Sequence, residues 1–521
     1  MRRRLRTVLG IGLVGVLLAG CVAGPDRGLG PTPQPGTEQP GATPLSSATS
    51  SPTTTASSSS GSATVGPYDF RPLPEYTGPQ PLPASDGKPM LWPLETDVSV
   101  TDYSGYRESY PRYGFLDVTG KLVIPQRYES YQYCSDDSGR PVLLIANRGG
   151  DARGEVFDLS GKRLAKLPTE RGDCAGPSYV ITTNDGLDEA STQADVQNGL
   201  LELATGKWLI RPIKGRQLTS LRPGLINVTE PKGEYFLNLN SGRKVRHPGW
   251  VTWGSSLAAG ESRLPARTKR DGGKVGLLDL DGHWMVAPTS EDVRDDGGGV
   301  TVLQRGDEDY VLIDKSGRQL PGTWSQVDEV LGSEFGFDYG PVLGYLVTGG
   351  TGQALFTADG REVIAPGLGG ITCESDAGGA CTFSPDVGDD QLVNLPEGTA
   401  SPLPSGFSRA ISAGFLGSAR PNDEDSDDRI LALTTGITIE TIPGSVCAGA
   451  GPAFVHCGSE TGPGVVIDAH GPTALASVSP LIDPAAGETR YYQATTAKFA
   501  GIVDASGAWL YRQSSYLRLE D

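Results

Sequence analysis

A short motif with a glycine near its middle recurs along most of this chain. Each copy has an apolar run, a small polar or acidic residue, a glycine and a second apolar run, and the best-preserved copy spans residues 113–129. Such a sequence favours a hairpin loop, because glycine adopts positive φ without a steric cost and an Asp or Asn side chain can bond nearby amides. The aligned glycines lie 35 to 45 residues apart, at Gly120, Gly161, Gly206, Gly242, Gly282, Gly317, Gly360, Gly398, Gly436, Gly471 and Gly507.

The spacing of these glycines predicts an all-β repeat protein. A unit of about 39 residues has room for four strands, and this is the pattern of β-propeller blades. Helical periodicity is nearly absent, since 72 glycines and 40 prolines interrupt any apolar stripe. A propeller is favoured because a ring leaves no long sheet edge exposed. About ten repeats exceed the usual blade number, so one large ring, two smaller propellers or a ring plus an extension all stay open, and an open β-solenoid is the alternative architecture.

The copy at residues 113–129 resembles the bacterial WG repeat. It reads Tyr-Gly-Phe-Leu-Asp, then Gly-Lys, Val-Ile-Pro and Tyr-Glu, with Tyr113 where the family has tryptophan. Residues 275–279 with 286–288, and residues 500–504, are similar to the same pattern. The resemblance runs in register over residues 90–521, and it implies a repeat scaffold without a defined reaction.

Residues 1–21 are typical of a signal segment. Four arginines precede an apolar run at residues 8–18, which is too short to span a bilayer. The segment ends in Leu-Ala-Gly-Cys21, which resembles the lipobox of bacterial lipoproteins. The resemblance implies cleavage before Cys21 and a diacylglycerol on its thiol; an ordinary signal with a chance cysteine is the alternative. We therefore expect a protein anchored by lipid to the cell membrane and facing the extracytoplasmic side.

The next part of the chain has the composition of a tether. Residues 22–66 are almost wholly Pro, Gly, Ser, Thr and Ala, which cannot bury a core, so we predict a disordered linker. The β-repeat domain is predicted to occupy residues 67–521. Without residues 1–20 the chain has 40 basic and 62 acidic residues, a net charge of −22. This charge disfavours nucleic acid as a partner, because binding requires neutralised phosphates.

Six cysteines remain after Cys21, and an even number in a secreted chain indicates disulfides. Two pairs occupy equivalent places after their turn glycines, so each is predicted to bridge its own hairpin. The third pair occupies equivalent places in adjacent units, so it is predicted to join neighbours. No pair has the two-residue spacing of a zinc knuckle, and we predict neither a metal nor a cofactor. The predicted bridges are Cys134 to Cys174, Cys373 to Cys381 and Cys447 to Cys457.

Few residues suggest catalysis. The histidines have no ligand spacing and are predicted to be isolated surface or turn residues; they are His247, His283, His456 and His470. Residues 241–244 match the Ser-x-x-Lys pattern of penicillin-binding enzymes. They lie on a predicted hairpin turn with no helix to present the serine, so we interpret the match as chance.

Three clusters have a structural and a binding interpretation. The acidic run at residues 423–428 is predicted to be a solvated loop, with a calcium site as the alternative. The basic group is predicted to be a solvated hairpin, with anionic lipid or wall polymer as the alternative; it comprises Arg263, Arg267, Lys269, Arg270 and Lys274. The aromatic residues could stack on a sugar, but core between units is favoured; they are Trp250, Trp253, Tyr491 and Tyr492.

The sequence leads to two hypotheses about function. The first is a membrane-anchored scaffold, monomeric and non-catalytic, that binds a protein or a cell-envelope polymer through its loops. The second is a propeller-type glycan hydrolase or lyase, which would need two carboxylates aimed into one cleft. The first is favoured because most of the aspartates belong to predicted turns.

Overall fold

The described part of the chain is built from β-strands. The structure is a computed structural model and describes residues 64–101, 107–149, 153–169, 171–183, 198–252, 261–270, 272–295, 299–332, 342–374, 378–420, 423–458, 464–483 and 488–515. Its described elements are strands joined by turns and loops. Within these ranges we find no helix long and apolar enough to cross a membrane. The predicted all-β class is confirmed.

The described strands form eleven sheets that follow one another along the chain. In the first four, the strands are ordered as in the sequence and pair antiparallel. Sheet 1 contains β2 (Leu91–Thr101), β3 (Arg107–Asp117) and β4 (Leu122–Tyr128); sheet 2 contains β5 (Ser130–Ser135), β6 (Pro141–Asn147), β7 (Glu155–Asp158) and β8 (Arg163–Lys166). Sheet 3 contains β9 (Arg171–Gly176), β10 (Tyr179–Thr183), β11 (Asn198–Glu202) and β12 (Lys207–Ile210); sheet 4 contains β13 (Gln217–Arg222), β14 (Leu225–Glu230), β15 (Gly233–Asn238) and β16 (Lys244–Arg246).

The next four sheets repeat this arrangement. Sheet 5 contains β17 (Trp250–Val251), β18 (Leu264–Arg267), β19 (Val275–Leu278) and β20 (Trp284–Ser290); sheet 6 contains β21 (Asp292–Asp295), β22 (Thr301–Gly306) and β23 (Asp309–Ile313). Sheet 7 contains β24 (Gln326–Leu331), β25 (Val342–Gly349), β26 (Gly352–Thr357) and β27 (Glu362–Gly367); sheet 8 contains β28 (Gly369–Cys373), β29 (Ala380–Pro385), β30 (Gln391–Asn394) and β31 (Thr399–Pro402).

The last three sheets complete the series, and one of them gains a strand from the start of the described chain. Sheet 9 contains β32 (Arg409–Ser412), β33 (Phe415–Arg420), β34 (Asp423–Ala432) and β35 (Ile437–Glu440), with β1 (Thr64–Val65) added parallel to β35. Sheet 10 contains β36 (Val446–Gly449), β37 (Phe454–Gly458), β38 (Val465–Asp468) and β39 (Gly471–Pro472); sheet 11 contains β40 (Ser477–Asp483), β41 (Glu488–Thr495), β42 (Phe499–Val503) and β43 (Trp509–Ser514).

The predicted turn glycines close the last hairpin of each sheet. All eleven have positive φ, between 62° and 130°, a region in which glycine has no steric penalty. At Gly120 the preceding aspartate completes the turn, since Asp117 Oδ1 accepts hydrogen bonds from the amides of Thr119 at 2.9 Å and Lys121 at 3.1 Å. The same bonds recur at Asp158, Asp314 and Asp504. These aspartates are turn formers, as predicted.

Each pair of neighbouring sheets shares a hydrophobic cluster. Among the described residues there are eleven clusters for eleven sheets, and ten of them join sheets that are consecutive in the sequence. The eleventh joins the first sheet to the last, through Trp92 and Leu116 against Tyr491 and Ile502. The sheets therefore close into a single β-propeller, and the solenoid and two-propeller alternatives are wrong.

The order of strands gives each blade an inner and an outer edge. First strands of neighbouring sheets approach each other, as β5, β9 and β13 do, so they lie on the inner side of the ring. Several last strands are exposed on the other side: all four residues of β31 and three of the four residues of β8 are exposed. The last strands therefore form the outer rim.

The start of the described chain runs across the outer edges of four blades; we call residues 64–84 the N-terminal strap. It begins as β1 on β35, and Arg71 then bridges to Thr473 and forms an ion pair with the buried Asp468. Farther along, the Gln80 amide donates to the Leu510 carbonyl and the Leu82 amide to the Val118 carbonyl, both at 2.8 Å. The strap thus spans sheets 9, 10, 11 and 1, where the ring closes. Thr64 and Val65, the first residues of the strap, lie at the end of the predicted linker.

Replacing Gly120 by Ala is expected to destabilise the protein more than the same change at Gly206. Both glycines have positive φ, 79° and 64°, which costs Ala about 1 kcal/mol. A Cβ at Gly120 would also lie 2.2 Å from the Gln80 carbonyl oxygen of the strap, whereas nothing lies within 4 Å at Gly206. We expect the free energy of unfolding, measured with urea, to fall by about 2–4 kcal/mol in Gly120→Ala and by about 1 kcal/mol in Gly206→Ala. Equal losses would contradict the contact with the strap.

Three disulfides join the six cysteines of the repeat domain as predicted. Cys134 of β5 bonds to Cys174 of β9 and so links sheets 2 and 3. The other two join residues directly opposite each other on paired strands, Cys373 to Cys381 and Cys447 to Cys457. Cys21, residues 1–21 and most of the predicted linker lie outside the described residues.

The acidic run at residues 423–428 is part of a strand, and the predicted solvated loop is wrong. These residues begin β34, and Asp427 is fully buried. Its carboxylate pairs with the Arg409 guanidinium and accepts a hydrogen bond from the Cys447 amide at 3.1 Å. The charge at Asp427 is therefore compensated inside the protein.

Candidate functional site

Charge is distributed unevenly around the ring. Residues 107–252, which reach from β3 to just beyond β17, contain 20 Lys or Arg and 17 Asp or Glu. Residues 253–521 contain 17 and 37 respectively. The net acidity of the protein therefore resides in the later blades, and the earlier blades are close to neutral.

The outer rim of the early blades carries cations and no acidic residue. The last strands of sheets 1 to 4 are β4, β8, β12 and β16, and they contain six basic residues and no acidic one. These six are Arg127, Arg163, Lys166, Lys207, Lys244 and Arg246. The last described strands of sheets 5 to 11 carry acidic residues at Asp309, Glu362 and Glu440 and a basic one at Arg512. We call the outer strands of sheets 1 to 4 the basic rim.

An open cleft of about 580 Å³ lies on this rim between sheets 3 and 4. One wall consists of the end of β12 and the residue that follows it, Arg211. The other wall is formed by β15 and β16, which contribute Tyr235, Lys244 and Arg246. Within the connection from β12 to β13, Arg216 donates to the Arg211 carbonyl at 3.3 Å.

The cleft has a clear excess of positive charge. Of the residues that line it, Glu230 is the one acid. Its Oε1 accepts hydrogen bonds from Arg216 Nε at 3.1 Å and from the Arg216 terminal nitrogen at 2.8 Å, so this acid is already neutralised. Arg211 and Arg246 are exposed, and among the described residues neither forms an ion pair. Two guanidinium groups are therefore available to a ligand.

Apolar and aromatic groups accompany these cations. The Tyr235 ring lies 5.0 Å from Lys244 Nζ, which places a cation over an aromatic face. Leu209 is 54% exposed, and Tyr179 also lines the cleft. Guanidinium groups bind carboxylates and phosphates bidentately, and half-buried rings and exposed aliphatic side chains can contact apolar faces of a ligand. The cleft can therefore hold an anionic group attached to a less polar body.

The carboxylates of this cleft do not match the requirement for glycan hydrolysis. Such enzymes use two carboxylates on either side of the scissile bond, whereas the cleft lining contains Glu230 alone, paired with Arg216. Over the described residues, no group of three His, Cys, Asp or Glu side chains comes together as a metal site would require. The geometry of the cleft favours binding.

The histidines are distributed differently from the prediction. His283 and His470 are exposed, but the His247 side chain is fully buried and stacks on Phe236 with ring centroids 4.3 Å apart. Burial lowers the pKa of His247 to about 4, so the ring is neutral near pH 7. The predicted surface position of His247 is therefore wrong. Ser241 lies in the exposed turn between β15 and β16, where a hairpin was predicted.

The basic group of sheet 5 is not a solvated hairpin throughout. Arg263 is buried, donating to Glu261 at 2.8 Å and to the Ile313 carbonyl at 2.7 Å. Lys274 pairs with Glu291 at 3.1 Å, and the Arg270 guanidinium lies 5.4 Å from the Trp250 ring. Much of this group serves contacts within the protein, so the cleft between sheets 3 and 4 is the better candidate site.

The aromatic pair at Tyr491 and Tyr492 belongs to the core. These side chains are 7% and 1% exposed and pack in the clusters on either side of sheet 11. The favoured prediction of core between units is confirmed for both. Trp253 lies outside the described residues.

Comparison with known proteins supplies no family. No family model matches the chain, and no curated protein matches it, so the resemblance to WG repeats stays a prediction. The chain is similar to solved structures of low identity. One is a eukaryotic initiation factor, with a TM-score of 0.31, 12% identity, and coverage of 51% of this chain and 72% of that one.

Two further solved structures are similar to the chain at the same low identity. The β-propeller domain of Cps50 (Swd1) from Myceliophteria thermophila has a TM-score of 0.24 and 11% identity, and covers 49% of this chain and 93% of its own. BamB from Moraxella catarrhalis has a TM-score of 0.24 and 10% identity, and covers 56% and 92%. Likeness at this level carries no argument about ligands. The chain is an all-β, eleven-sheet propeller whose family is not identified by similarity.

Proposed function

We propose that this protein is a lipid-anchored, extracytoplasmic binding scaffold that holds a protein or cell-envelope polymer by an anionic group. The observation that carries the proposal is the cleft between sheets 3 and 4, where Arg211 and Arg246, which form no ion pair among the described residues, lie beside Leu209 and Tyr235. The three disulfides support an oxidising compartment. A rigid ring with a neutralised carboxylate in its cleft suits binding better than catalysis.

The arrangement explains how an acidic protein could bind an acidic partner. The later blades, with 37 acidic residues against 17 basic ones, repel an anion and leave the basic rim as the favourable approach. Inside the cleft, Glu230 holds Arg216 and Arg216 holds the carbonyl of Arg211. The wall that presents Arg211 is therefore positioned before any ligand arrives, which reduces the ordering cost of binding.

The double variant Arg211→Ala/Arg246→Ala is expected to lose affinity for a small acidic glycan. The probe is trigalacturonate, titrated into the full chain in detergent and followed by calorimetry. Each lost charge-assisted contact costs over 1 kcal/mol, so affinity should fall about tenfold or more. The matched control, Arg305→Ala/Lys498→Ala, removes two exposed cations from sheets 6 and 11 and should bind like the wild type. Equal affinity of all three proteins, or no binding by the wild type, would contradict the proposal.

The lipid anchor is tested separately at Cys21. Cells that express the wild type and are fed labelled palmitate should yield labelled protein, and the Cys21→Ser variant should yield none. The double variant Cys134→Ser/Cys174→Ser is the control, since its thiols form a disulfide in the fold and it should keep the label. Label on Cys21→Ser would show that this residue is not the site of lipidation.

A further inference from the structure

A second cationic site lies on the basic rim, between sheets 1 and 2. Three guanidinium groups surround the single carboxylate of Glu155, which is 1% exposed. The nitrogen-to-oxygen distances are 3.3 Å from Arg127, 3.4 Å from Arg148 and 2.9 Å from Arg163. One carboxylate compensates one of three positive charges, so the site retains an excess of about two. We call these four residues the arginine cluster.

The arginine cluster is organised and also open to solvent. The arginine side chains are between 37% and 56% exposed. Two of them also lie over the Tyr128 ring, with Arg127 at 5.3 Å and Arg148 at 5.8 Å from its centroid, and Tyr128 donates its hydroxyl to Glu155. A buried acid and an aromatic ring thus fix three exposed guanidinium groups. This is more order than isolated surface arginines would have.

The arginine cluster and the cleft are connected along the rim. Arg163 of the cluster begins β8, and Lys166 ends the same strand; both are exposed. The next outer strand, β12, begins with the exposed Lys207 and ends at the cleft. No acidic residue interrupts the outer strands from β4 to β16. Cations therefore occur at each step from sheet 1 to sheet 4.

We propose that the basic rim binds a linear acidic polysaccharide, with one stretch of the chain at the arginine cluster and another in the cleft. The proposal rests on the function proposed above and specifies the partner. A single small anion would need one site, whereas two separated sites joined by exposed cations suit a polymer with regularly spaced charges. The Tyr179 and Tyr235 rings and the exposed Leu209 of the cleft provide faces for sugar rings, which a polyphosphate lacks.

The test compares ligand lengths on the full chain in detergent by calorimetry. Dodecagalacturonate should bind at least about 100-fold more tightly than trigalacturonate, because a second site on the same protein raises the effective concentration of the glycan. A longer glycan can also place different three-residue stretches in a single site, but this alone would raise its affinity only about tenfold. The variant Lys166→Gln/Lys207→Gln changes two exposed side chains, so the core stays intact. The variant Arg127→Gln/Arg163→Gln opens the arginine cluster itself. Both should reduce dodecagalacturonate affinity about tenfold and leave trigalacturonate affinity in the cleft unchanged.

The outcomes separate this inference from the proposed function. Suppose that trigalacturonate binds in the cleft but dodecagalacturonate binds no more than about tenfold more tightly, which its overlapping binding positions alone would give. That result, or unchanged dodecagalacturonate affinity in both rim variants, would overturn the rim inference and leave the cleft proposal standing. If trigalacturonate does not bind, or binds equally to Arg211→Ala/Arg246→Ala, the cleft proposal also falls. Tighter binding of a polyphosphate of the same charge would overturn the assignment to a polysaccharide.

Discussion

Deleting residues 64–84, the N-terminal strap, from the full chain is expected to lower the free energy of unfolding by more than about 5 kcal/mol. The deletion removes the partner of Asp468, which is 2% exposed and would keep a buried charge without Arg71. It removes the fully buried Leu82 from the cluster that closes the ring. It also removes the Leu82 carbonyl, which accepts a 2.7 Å hydrogen bond from the buried Trp92 indole.

The matched control deletes a segment of the same length, residues 36–56, from the predicted linker, and we expect no change in its unfolding. Urea unfolding followed by tryptophan fluorescence measures both proteins, because Trp92 lies in the cluster between the first and last sheets. If the strap deletion unfolds at the same urea concentration as the wild type, then the ring closes without the strap.

Replacing Asp427 by Ala is expected to cost about 3–5 kcal/mol, because it leaves a partner charge inside the protein uncompensated. Arg409 donates through Nε to Asp427 Oδ1 at 3.0 Å and through a terminal nitrogen to Oδ2. The side chain of Arg409 is 22% exposed and that of Asp427 0%. The Cys447 amide, which joins this carboxylate to a disulfide-bonded strand, would also lose its acceptor.

An exposed ion pair provides the control for this variant. Arg305 and Asp309 are 2.8 Å apart, with side chains 36% and 44% exposed, so Asp309→Ala should cost less than about 1 kcal/mol. Differential scanning calorimetry of the two variants at neutral pH measures the difference. A melting temperature of Asp427→Ala equal to that of Asp309→Ala would contradict the role of the buried pair.

The features that sequence predicted correctly are local ones. Gly120 and the other turn glycines need positive φ, and few side chains tolerate it, so each hairpin leaves a mark in its own segment. The cysteine pairs were predictable for a related reason. Once the glycines set the register, Cys373 and Cys381 fall on facing strands, and Cys134 and Cys174 on equivalent strands of neighbouring blades.

The features that sequence missed depend on contacts between distant segments. Asp427 lies in a run of acids that is typical of a loop. Its burial is possible because Arg409 and the Cys447 amide of the next blade compensate its charge. The strap begins in a segment rich in Ser and Thr, and its pairing with β35 joins residues far apart in sequence.

The candidate site was missed for the same physical reason. Arg211 and Arg246 are ordinary surface cations in sequence, and they meet because sheets 3 and 4 are adjacent in the ring. Glu155 similarly forms ion pairs with arginines from two blades. The signal that could have been found earlier is the run of basic residues in the segments after the first four turn glycines, with no acid among the outer strands there.

Hydrogen exchange of the full chain with and without saturating trigalacturonate tests the proposed cleft most directly. We expect slower amide exchange in residues 209–216 and 235–246, which contain the two walls of the cleft, and no change in the outer strands of sheets 7 to 11. Protection confined to the inner strands β5, β9 and β13, or no protection at either wall, would contradict it.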